Sequence, residues 1–338
     1  MKSTDAPSAS LARGAGWTLL VAATAVVVAL TLAAAVARYN WVLELATHFR
    51  AHYAAALGLA APIFLLGRRF AIAAIAGALA AWNFWYVAPL YFASTSDGRP
   101  VATRPIHIVS ANVFRWSTDH LPAVHYLRDN GADLVLLIEI TPEWAESLEA
   151  LRSRYPTMHV FAREDSFGLA LLSRVPLDAV EVEESSSGVP LVIARLTIDG
   201  RPLAVIGAHP PPPISASAAQ RRNEALVHLA TVVRRQSGPR IVAGDLNITS
   251  WSPYFQDLVR ETRLIDSRLG RGIQPTWQFD FPFIAPPALR LPIDHCLVSE
   301  DITIIDRHVG PFIESDHLPI EVRFTIHGQK GRGGDETR

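Results

Sequence analysis

The chain has 338 residues, a formal net charge of −1 and one cysteine, Cys296. This length suits one large domain plus an additional segment, and a lone cysteine excludes an intramolecular disulfide and a cysteine-type zinc site. Seven of the 31 Lys and Arg residues and three of the 32 Asp and Glu residues precede residue 101, so the rest of the chain is net negative by about five charges. General polyanion-binding surfaces are basic, which weakens the case for a nucleic-acid substrate without excluding it.

Residues 14–93 contain three apolar segments that we interpret as membrane-spanning helices. They are Trp17 to Ala37, Tyr53 to Leu66 and Phe70 to Phe92, and about 20 apolar residues span a bilayer. The third segment carries Trp and Tyr toward one end, as interfacial residues do, whereas the second is short and contains Pro62. A signal peptide is the alternative for the first segment. A buried soluble helical hairpin is the alternative to membrane spans.

Arginines at the ends of these segments predict the orientation in the membrane. Arg68 and Arg69 occupy the short loop between the second and third segments, on the same side as Lys2 and Arg13 if there are three spans. The positive-inside count is tied, because four arginines fall on the other side: Arg38, Arg50, Arg99 and Arg104. The tight Arg-Arg loop favours an amino terminus inside, and a carboxyl-terminal domain outside, a bacterial-type inner or plasma membrane.

The remaining sequence divides into a linker, a domain and a tail. Residues 94–104 contain Gly, Pro and Ser and are predicted to be a linker. Residues 105–326 alternate between strand and helix patterns and are predicted to form the soluble domain. Residues 1–13 and the Gly-rich residues 327–338 are predicted to be disordered.

Strand patterns outnumber helix patterns in the domain. Short links such as Asp199-Gly200-Arg201 require antiparallel neighbours, so the pattern predicts an α/β fold with two packed sheets flanked by helices, and not a doubly wound parallel sheet. The predicted strands are Ile106 to Val113, Leu134 to Ile140, Met158 to Ala162, Phe167 to Leu172, Leu191 to Ile198, Leu203 to Ala208, Arg240 to Ala243, Ile293 to Val298, Ile302 to His308 and Ile320 to Ile326. The predicted helices are Leu121 to Asn130, Pro142 to Arg154, Ala216 to Arg235 and Pro253 to Val259.

Polar residues interrupt the apolar strands at six places, each near a strand end. A charge within an apolar run such as Leu134 to Ile140 is costly unless it is paired or bound to a cation. For Glu139 alone, the alternative is a salt-bridged carboxylate at the rim of the domain. Six polar interruptions in one domain predict that these residues share a site. They are Asn112, Glu139, His209, Asp245 with Asn247, Asp294 with His295, and Asp316 with His317.

The run from Ile241 to Ser250 ends its apolar part in Gly244-Asp245-Leu246-Asn247. On an extended backbone, Asp245 and Asn247 project to the same side. A carboxylate and an amide in that arrangement can orient a water molecule beside a phosphate. The alternative for this string is ordinary turn chemistry.

The chemistry of the polar side chains predicts a hard cation and proton transfer. Carboxylate and amide oxygens suit Mg²⁺ or Mn²⁺ better than zinc. His209 and His317 can donate hydrogen bonds to phosphate or transfer protons near neutral pH. Asp294 is the candidate that fixes the tautomer of one imidazole. In an extended strand His295 faces away from Asp294, so we predict a structural role for it.

These residues stand in strings that resemble the endonuclease/exonuclease/phosphatase superfamily, which includes deoxyribonuclease-like nucleases, abasic-site endonucleases, neutral sphingomyelinases and inositol polyphosphate phosphatases. The strings occur in the family's order within residues 105–325, and the resemblance implies a four-layer α/β sandwich. They are Ser110-Ala111-Asn112-Val113, Leu137-Ile138-Glu139, Gly168-Leu169-Ala170-Leu171-Leu172-Ser173-Arg174, Gly207-Ala208-His209, Gly244-Asp245-Leu246-Asn247, Pro275-Thr276-Trp277, Ile293-Asp294-His295 and Ser315-Asp316-His317-Leu318-Pro319.

The resemblance implies a metal site. Glu139 binds the metal, Asn112 lies close to both metal and substrate, and Asp316 assists. Several nucleases of the family have an acidic residue two positions after the first Asn, but here that position is Phe114. A second metal is therefore in doubt.

The resemblance also implies catalytic roles. Asp245 orients or deprotonates the attacking water, and Asn247 holds that water or a phosphate oxygen. His209 contacts the scissile phosphate. The Asp294 and His317 pair either stabilises that phosphate or activates a group beside it. The sequence does not decide whether Asp245 or His317 is the base.

Two further features concern the substrate. Trp277 can stack on a base or sugar at the rim of the cleft, or it can be a buried aromatic residue. Residues 210–213 are four prolines that form a stiff loop after a predicted strand. This loop either shapes the wall of the cleft or simply ends the strand.

The sequence therefore predicts a membrane-anchored, Mg²⁺- or Mn²⁺-dependent phosphoester hydrolase that directs water onto a phosphodiester or phosphomonoester. Its partners are the lipid bilayer and a phosphoester substrate, and the sequence indicates no protein partner. Family frequency favours nucleic acid as substrate, whereas the anchor and the acidic domain favour a phospholipid head group. A non-catalytic membrane interaction module on the same fold is the alternative from another functional class.

Overall fold

The computed structural model of the chain describes residues 6–93, 103–278 and 289–327. Most of the predicted linker, at residues 94–102, and residues 328–338 of the predicted tail lie outside these ranges. The described part consists of a helical unit before residue 90 and a unit with two sheets after it.

The helical unit contains three helical stretches that are long and apolar enough to cross a membrane: Gly14–Ala35, Trp41–Leu66 and Phe70–Val87. The second stretch begins well before the predicted Tyr53, because Asn40 caps a short helix by accepting a hydrogen bond from the Val42 amide at 2.8 Å. The helices are α1 (Ala6–Ala35), α2 (Trp41–Leu45), α3 (Arg50–Leu66), α4 (Phe70–Val87) and α5 (Pro89–Phe92), with 3₁₀ turns at Ala37–Tyr39 and Ala46–Phe49.

Helix α1 begins earlier than the sequence predicted. Residues 6–13, which we predicted to be disordered with the rest of the first 13 residues, form its first turns. This stretch is rich in Ala and includes Leu11, which have high helix propensity, and Pro7 lies in the first turn, where proline is tolerated. A helix already nucleated by the apolar segment extends over such residues at little cost.

A buried polar network joins α1, α3 and α4. Arg50 donates to Asn83 Oδ1 and to the Ala34 carbonyl, both at 3.3 Å. Asn83 in turn donates to Thr31 Oγ1 at 3.0 Å. Hydrogen bonds between helices stabilise helix association in an apolar surrounding, so this network fixes the three helices relative to one another.

The second unit is built of strands and amphipathic helices in alternation. Within the described residues its strands are β1 (Ile106–Asn112), β2 (Leu134–Ile138), β3 (Thr157–Phe161), β4 (Leu169–Ser173), β5 (Ala179–Glu184), β6 (Pro190–Ile198), β7 (Arg201–Ala208), β8 (Arg240–Asp245), β9 (Ile265–Asp266), β10 (Asp294–Val298), β11 (Ile302–Val309) and β12 (Ile320–Ile326). Its helices are α6 (Leu121–Asp129), α7 (Pro142–Leu148), α8 (Ala216–Arg235) and α9 (Pro253–Thr262), with a 3₁₀ turn at Glu149–Leu151.

The strands form two mixed six-stranded sheets, with orders β11-β12-β1-β2-β4-β3 and β5-β6-β7-β8-β10-β9. The β1 and β2 pair and the β7 and β8 pair are parallel, and the other neighbouring strands are antiparallel. Inward-facing apolar residues of both sheets form one buried core, including Ile108, Leu136, Val322, Val192, Val205 and Ile241. Helices α6 and α7 cover the first sheet and α8 and α9 cover the second. The predicted α/β fold with two packed sheets flanked by helices is confirmed.

Strands β5 and β9 were missing from the sequence prediction. The β5 sequence, Ala179-Val180-Glu181-Val182-Glu183-Glu184, is half acidic and lies at a sheet edge, where only Val180 and Glu183 are partly buried. Glu has low β propensity, so the pattern does not distinguish this strand from a loop. β9 has two residues, and pairing with β10 defines it.

Candidate active site

The predicted site residues follow or end central strands of both sheets. In the first sheet, Asn112 ends β1 and pairs with Ile138, and Glu139 follows directly. In the second sheet, Asp245 ends β8 and lies opposite Asp294, the first residue of β10. Parallel strands end at the same edge of a sheet, so packing the two sheets together brings these side chains to one cleft.

The backbone at this edge is constrained at two positions. Gly244 has φ +139°, and a Cβ there would lie 2.1 Å from the Ala208 carbonyl oxygen. A side chain at this position is therefore excluded. Glu139 has φ +67°, which costs a residue with a long side chain roughly 1–2 kcal/mol. Both carboxylate oxygens of Glu139 accept hydrogen bonds, from the Arg115 amide at 2.9 Å and from Asn112 Nδ2 at 3.1 Å.

His317 lies between two buried carboxylates. Its Nδ1 donates to Asp294 Oδ2 at 2.8 Å, and its Nε2 lies 3.5 Å from Asp245 Oδ2. Asp294 Oδ2 also accepts a hydrogen bond from Thr276 Oγ1 at 2.5 Å. The contact with Asp294 fixes the ring orientation of His317, so its Nε2 is directed at Asp245.

His209 is a second imidazole in the cluster. Its Nδ1 donates to the Ser166 carbonyl at 2.9 Å. Its Nε2 lies 3.6 Å from Asp245 Oδ2 and 3.9 Å from Glu139 Oε1. Asp245 is therefore flanked by both imidazoles, and Asn112 Nδ2 lies 3.4 Å from the same oxygen.

Mutual contacts determine which of these groups are charged. Burial alone lowers the pKa of His317, but the Asp294 and Asp245 carboxylates outweigh burial and raise the pKa to about 10. Burial likewise lowers the pKa of His209, but Asp245 outweighs it and the pKa is raised. Burial raises the pKa of Asp245, but His317 outweighs it and the pKa is lowered. At neutral pH the cluster therefore contains an ionised Asp245 beside a protonated His317.

The raised pKa of His317 predicts a pH-dependent stability. The stabilisation is fully present below pH 6.5, the ordinary histidine pKa, and is lost as pH rises through about 10, the folded-state pKa. In chelator, we expect the Tm of the wild type to exceed that of His317→Gln by several degrees, roughly 3–10 °C, at pH 6. This difference should shrink at pH 10, as measured by intrinsic fluorescence of the full chain in detergent. A difference that is constant between the two pH values would contradict the assignment.

Asn247 is placed differently from the prediction. We expected an extended backbone that projects Asp245 and Asn247 to one side, but β8 ends at Asp245 and Asn247 has φ +50°. Asp245 Oδ1 accepts from the Asn247 amide at 2.8 Å, forming an Asx turn. Asn247 Nδ2 donates to the Pro210 carbonyl at 2.9 Å. The turn alternative is therefore correct locally, and the same turn presents Asp245 to both imidazoles.

A hydrogen bond joins Trp277 and Asp316 beside the cluster. The half-buried Trp277 donates from Nε1 to Asp316 Oδ2 at 3.0 Å, and its ring centroid lies 6.3 Å from that of His317. Asp316 Oδ1 is buried and has no hydrogen-bond partner among the described residues. Burial raises the pKa of Asp316. A buried carboxylate oxygen of this kind fits a cation, and the role of Asp316 as a metal ligand stays a prediction.

Two sets of side chains offer ligand atoms for a divalent metal. The first set is Glu139 with Asp316. Asn112 joins it only if its amide rotates, because Asn112 Oδ1 now accepts from the Phe114 amide at 3.0 Å. The second set is Asp245, Asp294 and His317, whose ligand atoms lie within 4.8 Å of one another. The ligand role of Asn112 stays a prediction.

His295 lies away from the cleft. It is fully buried, its ring centroid lies 4.6 Å from that of Phe255 in α9, and its Nε2 donates to the Ile248 carbonyl at 2.7 Å. Arg268 Nη2 lies 3.1 Å from the other ring nitrogen. Its surroundings are those of a structural histidine, in agreement with the alternation along β10.

Three positioning residues were not singled out from the sequence. Thr276 donates to Asp294, Arg115 donates its backbone amide to Glu139, and Ser315 donates to the Asn112 carbonyl at 2.8 Å. Thr276 and Ser315 lie in strings that carried the family resemblance, so their strings were the only signal. A backbone amide such as that of Arg115 leaves no signal in the sequence.

Comparison with known proteins agrees with this geometry. Residues 109–317 match the model of the endonuclease/exonuclease/phosphatase family. The chain belongs to this family. Members of the endonuclease/exonuclease/phosphatase family are phosphoester hydrolases, including nucleases, and use divalent metals, which agrees with the carboxylates and imidazoles described above. None of the curated proteins compared with the chain matches it.

Solved structures of the endonuclease/exonuclease/phosphatase family share the fold. D. rerio TDP2 complexed with a single-strand DNA product is 18% identical, with a TM-score of 0.54 over 65% of this chain and 98% of that chain. The endonuclease/exonuclease/phosphatase from Beutenbergia cavernae is 18% identical, with a TM-score of 0.54 over 67% and 72% of the two chains. A family protein from Leptotrichia buccalis is 15% identical, with a TM-score of 0.54 over 65% and 99%. At these identities the likeness concerns the fold alone.

Proposed function

We propose that this chain is a membrane-anchored, divalent-metal-dependent hydrolase of phosphoesters. The observation that carries the proposal is His317, held 2.8 Å from Asp294 Oδ2 and 3.5 Å from Asp245 Oδ2, with Glu139 connected to Asp245 through Asn112. Carboxylates that flank a fixed imidazole in a buried cleft can activate water and stabilise a phosphate. Membership in a family of phosphoester hydrolases supports the same reaction class.

In the proposed reaction, Asp245 orients the attacking water and accepts its proton as the water oxygen bonds to phosphorus and the bond between phosphorus and the leaving oxygen breaks. The lowered pKa of Asp245 keeps it ionised for this role. His317, protonated at neutral pH, donates a hydrogen bond from Nε2 to a phosphate oxygen. His209 donates in the same way when it is protonated. The charge on His317 therefore favours Asp245 over His317 as the base.

Glu139 and Asp316 hold the divalent metal in this proposal, with Mg²⁺ or Mn²⁺ favoured by their oxygen ligands. When bound, the metal neutralises phosphate charge and favours the developing negative charge on the leaving oxygen. Asn112 orients Glu139 by its hydrogen bond. Phe114 supplies no carboxylate at the position where several family nucleases have one, which favours one metal over two.

The three apolar helical stretches support a membrane anchor. We propose that they span the membrane, with the loop at Arg68 and Arg69 inside and the catalytic domain outside a bacterial-type inner membrane. The buried network of Arg50, Asn83 and Thr31 supports a bundle in lipid, because intramembrane polar groups face the interior of a bundle.

The proposal is tested with the full chain in detergent. We expect hydrolysis of bis(p-nitrophenyl) phosphate or p-nitrophenyl phosphate with Mg²⁺ or Mn²⁺, and loss of hydrolysis on chelation. The same assay is then run with plasmid DNA, single-stranded DNA and sphingomyelin, which represent natural classes of phosphoester substrate. No hydrolysis of any substrate, combined with no metal binding in calorimetry, would support the alternative of a non-catalytic interaction module and overturn the proposal.

A further inference from the structure

Two buried arginines contact the chain around Asp294. Arg268 is completely buried and Arg307 is 2% exposed. Arg268 is paired with Asp266, whose Oδ2 accepts from Arg268 Nη2 at 2.6 Å. Arg307 forms no ion pair in the part of the chain that the structure describes. A buried charge without an opposite charge is costly, so a contribution to stability does not account for Arg307.

We propose that Arg268 and Arg307 are positioning residues that hold Asp294 in place and so orient His317. The inference rests on the proposed hydrolase function and adds to it the groups that keep the cluster in a reactive arrangement. Both arginines act through main-chain and side-chain groups next to Asp294, and not on the substrate. Misplacing a catalytic group by about 1 Å can lower a rate about 10²-fold, so such contacts affect turnover.

Arg307 joins the two sheets at Asp294. It lies in β11 of the first sheet, and its Nη2 donates to the Asp294 carbonyl in β10 of the second sheet at 3.4 Å. Its Nη1 donates to Gln274 Oε1. Gln274 lies two residues before Thr276, which donates to Asp294 Oδ2 at 2.5 Å. Arg307 therefore holds both the main chain of Asp294 and the segment whose hydroxyl orients its carboxylate.

Arg268 holds the chain before and after Asp294. Its Nη1 donates to the Pro292 carbonyl at 3.1 Å, and its Nη2 donates to His295 Nδ1 at 3.1 Å. His295 Nε2 donates to the Ile248 carbonyl at 2.7 Å. A guanidinium only donates and a carbonyl only accepts, so these two contacts fix the tautomer of His295. Ile248 directly follows the Asx turn described above, and Arg268 therefore links the start of β10 to that turn.

Asp266 fixes the position of Arg268. The Arg268 amide and Nε donate to Asp266 Oδ1 at 2.9 Å and 3.2 Å, in addition to the contact with Oδ2. Asp266 ends β9 and pairs with Leu297 of β10. Supporting side chains position a site well when their own conformations are held by packing and hydrogen bonds. Arg268 therefore meets the backbone beside Asp294 as a rigid donor.

Arg307→Met tests the role in turnover, because it removes the donors of Arg307 and leaves Asp266 paired with Arg268. On the full chain in detergent with saturating Mn²⁺, kcat for bis(p-nitrophenyl) phosphate should fall about 10–100-fold, with KM nearly unchanged. Arg307→Lys keeps a charge and donors and should recover part of the loss. Arg104→Met is the matched control. Arg104 pairs with Asp133 at 3.1 Å, at the opposite end of β1 and β2 from the cleft, so kcat should be unchanged.

Nuclear magnetic resonance of the full chain with isotope-labelled histidine gives a readout that is independent of turnover. The Nδ1 proton of His317, which Asp294 accepts, should give a signal that is lost in His317→Gln. A charge-assisted hydrogen bond is strong and slows exchange of that proton with water. Arg307→Met should therefore weaken the signal through faster exchange, whereas Arg104→Met should retain it.

A second variant applies even if Arg307→Met does not fold. Gln274→Met keeps the size of the side chain and removes the oxygen that links Arg307 to the Thr276 segment, without removing a charge. It should lower kcat about tenfold and weaken the His317 signal.

The two readouts distinguish the outcomes. Wild-type kcat in both Arg307→Met and Gln274→Met, an equal loss of kcat in Arg307→Lys and Arg307→Met, or an unchanged His317 signal in these variants would overturn the positioning role. If the wild type hydrolyses no substrate but the variants still weaken the His317 signal, the positioning role stands and the proposed hydrolase function fails.

Discussion

Replacing Asp245 by Asn is expected to lower kcat for phosphoester hydrolysis by at least about 10³-fold, with little change in KM. Asp245 is the buried carboxylate that both imidazoles face, at 3.5 Å from His317 and 3.6 Å from His209. Asn has the same shape but cannot accept a proton. Removing a positioned base costs about 10²–10⁴ in rate, and here the loss of charge next to the phosphate adds to it. Initial rates with bis(p-nitrophenyl) phosphate measure the effect.

The same substitution should leave the fold intact. Asn at position 245 retains an oxygen that accepts from the Asn247 amide, which bonds to Asp245 Oδ1 at 2.8 Å in the wild type. Tm should therefore change by no more than a few degrees. Asp306→Asn removes a half-exposed carboxylate from β11, where Asp306 contacts His308 at 3.1 Å, and serves as control for lost charge. A variant Asp245→Asn with more than about a tenth of wild-type kcat would refute the role of Asp245.

Replacing Glu139 by Gln is expected to raise the Mn²⁺ or Mg²⁺ concentration needed for half-maximal activity by about 10–100-fold. Glu139 is held by the Arg115 amide and by Asn112 Nδ2, so its carboxylate is oriented before metal arrives. Gln keeps the size and one oxygen but loses the charge. Metal titrations of activity and calorimetry on the full chain measure the change.

The outcome for Glu139→Gln also distinguishes the two donor sets. Wild-type metal affinity in this variant would place the metal at Asp245, Asp294 and His317, whose ligand atoms lie within 4.8 Å of one another. In that case His317→Gln should weaken metal binding instead. Glu164→Gln, a nearby substitution outside both sets, is the matched control and should not alter metal binding.

Much of the fold could be predicted because the spacing of apolar residues along the sequence indicates which face of each helix or strand is buried. Ala216–Arg235 forms one helix with the predicted bounds, since its apolar residues recur at helical spacing and Ser215 caps it by accepting from the Ala218 amide at 3.1 Å. The buried strands β1, β2 and β10 were also predicted, because β2 is a continuous apolar run and β1 and β10 are largely apolar. Strand β5 was missed because this acidic edge strand is stabilised by its pairing with β6. The sequence of β5 itself contains no sign of that pairing.

The membrane segments show the same division. Their hydropathy predicted three apolar helices, which the structure contains. The second stretch extends back to Trp41 because Asn40 caps the short helix α2 and a 3₁₀ turn connects α2 to α3. Neither the cap nor the turn lengthens the apolar run in the sequence. The sequence by itself predicted the number of stretches, whereas local hydrogen bonds decided their ends.

In the site, the sequence determined which chemical groups are present and that each stands at a strand end: Asn112, Glu139, His209, Asp245 and Asp294. Only the tertiary structure decided how they are paired. The antiparallel pairing of β8 and β10 within the second sheet brings Asp245 and Asp294 opposite each other. The fold also places His317 between them, 2.8 Å from Asp294 and 3.5 Å from Asp245, across sequence separations that no local pattern encodes. The left-handed turn at Asn247 is likewise decided by its contacts with Asp245 and Pro210. Charge states follow from the same contacts, because burial and neighbouring carboxylates set each pKa, and both exist only in the folded chain.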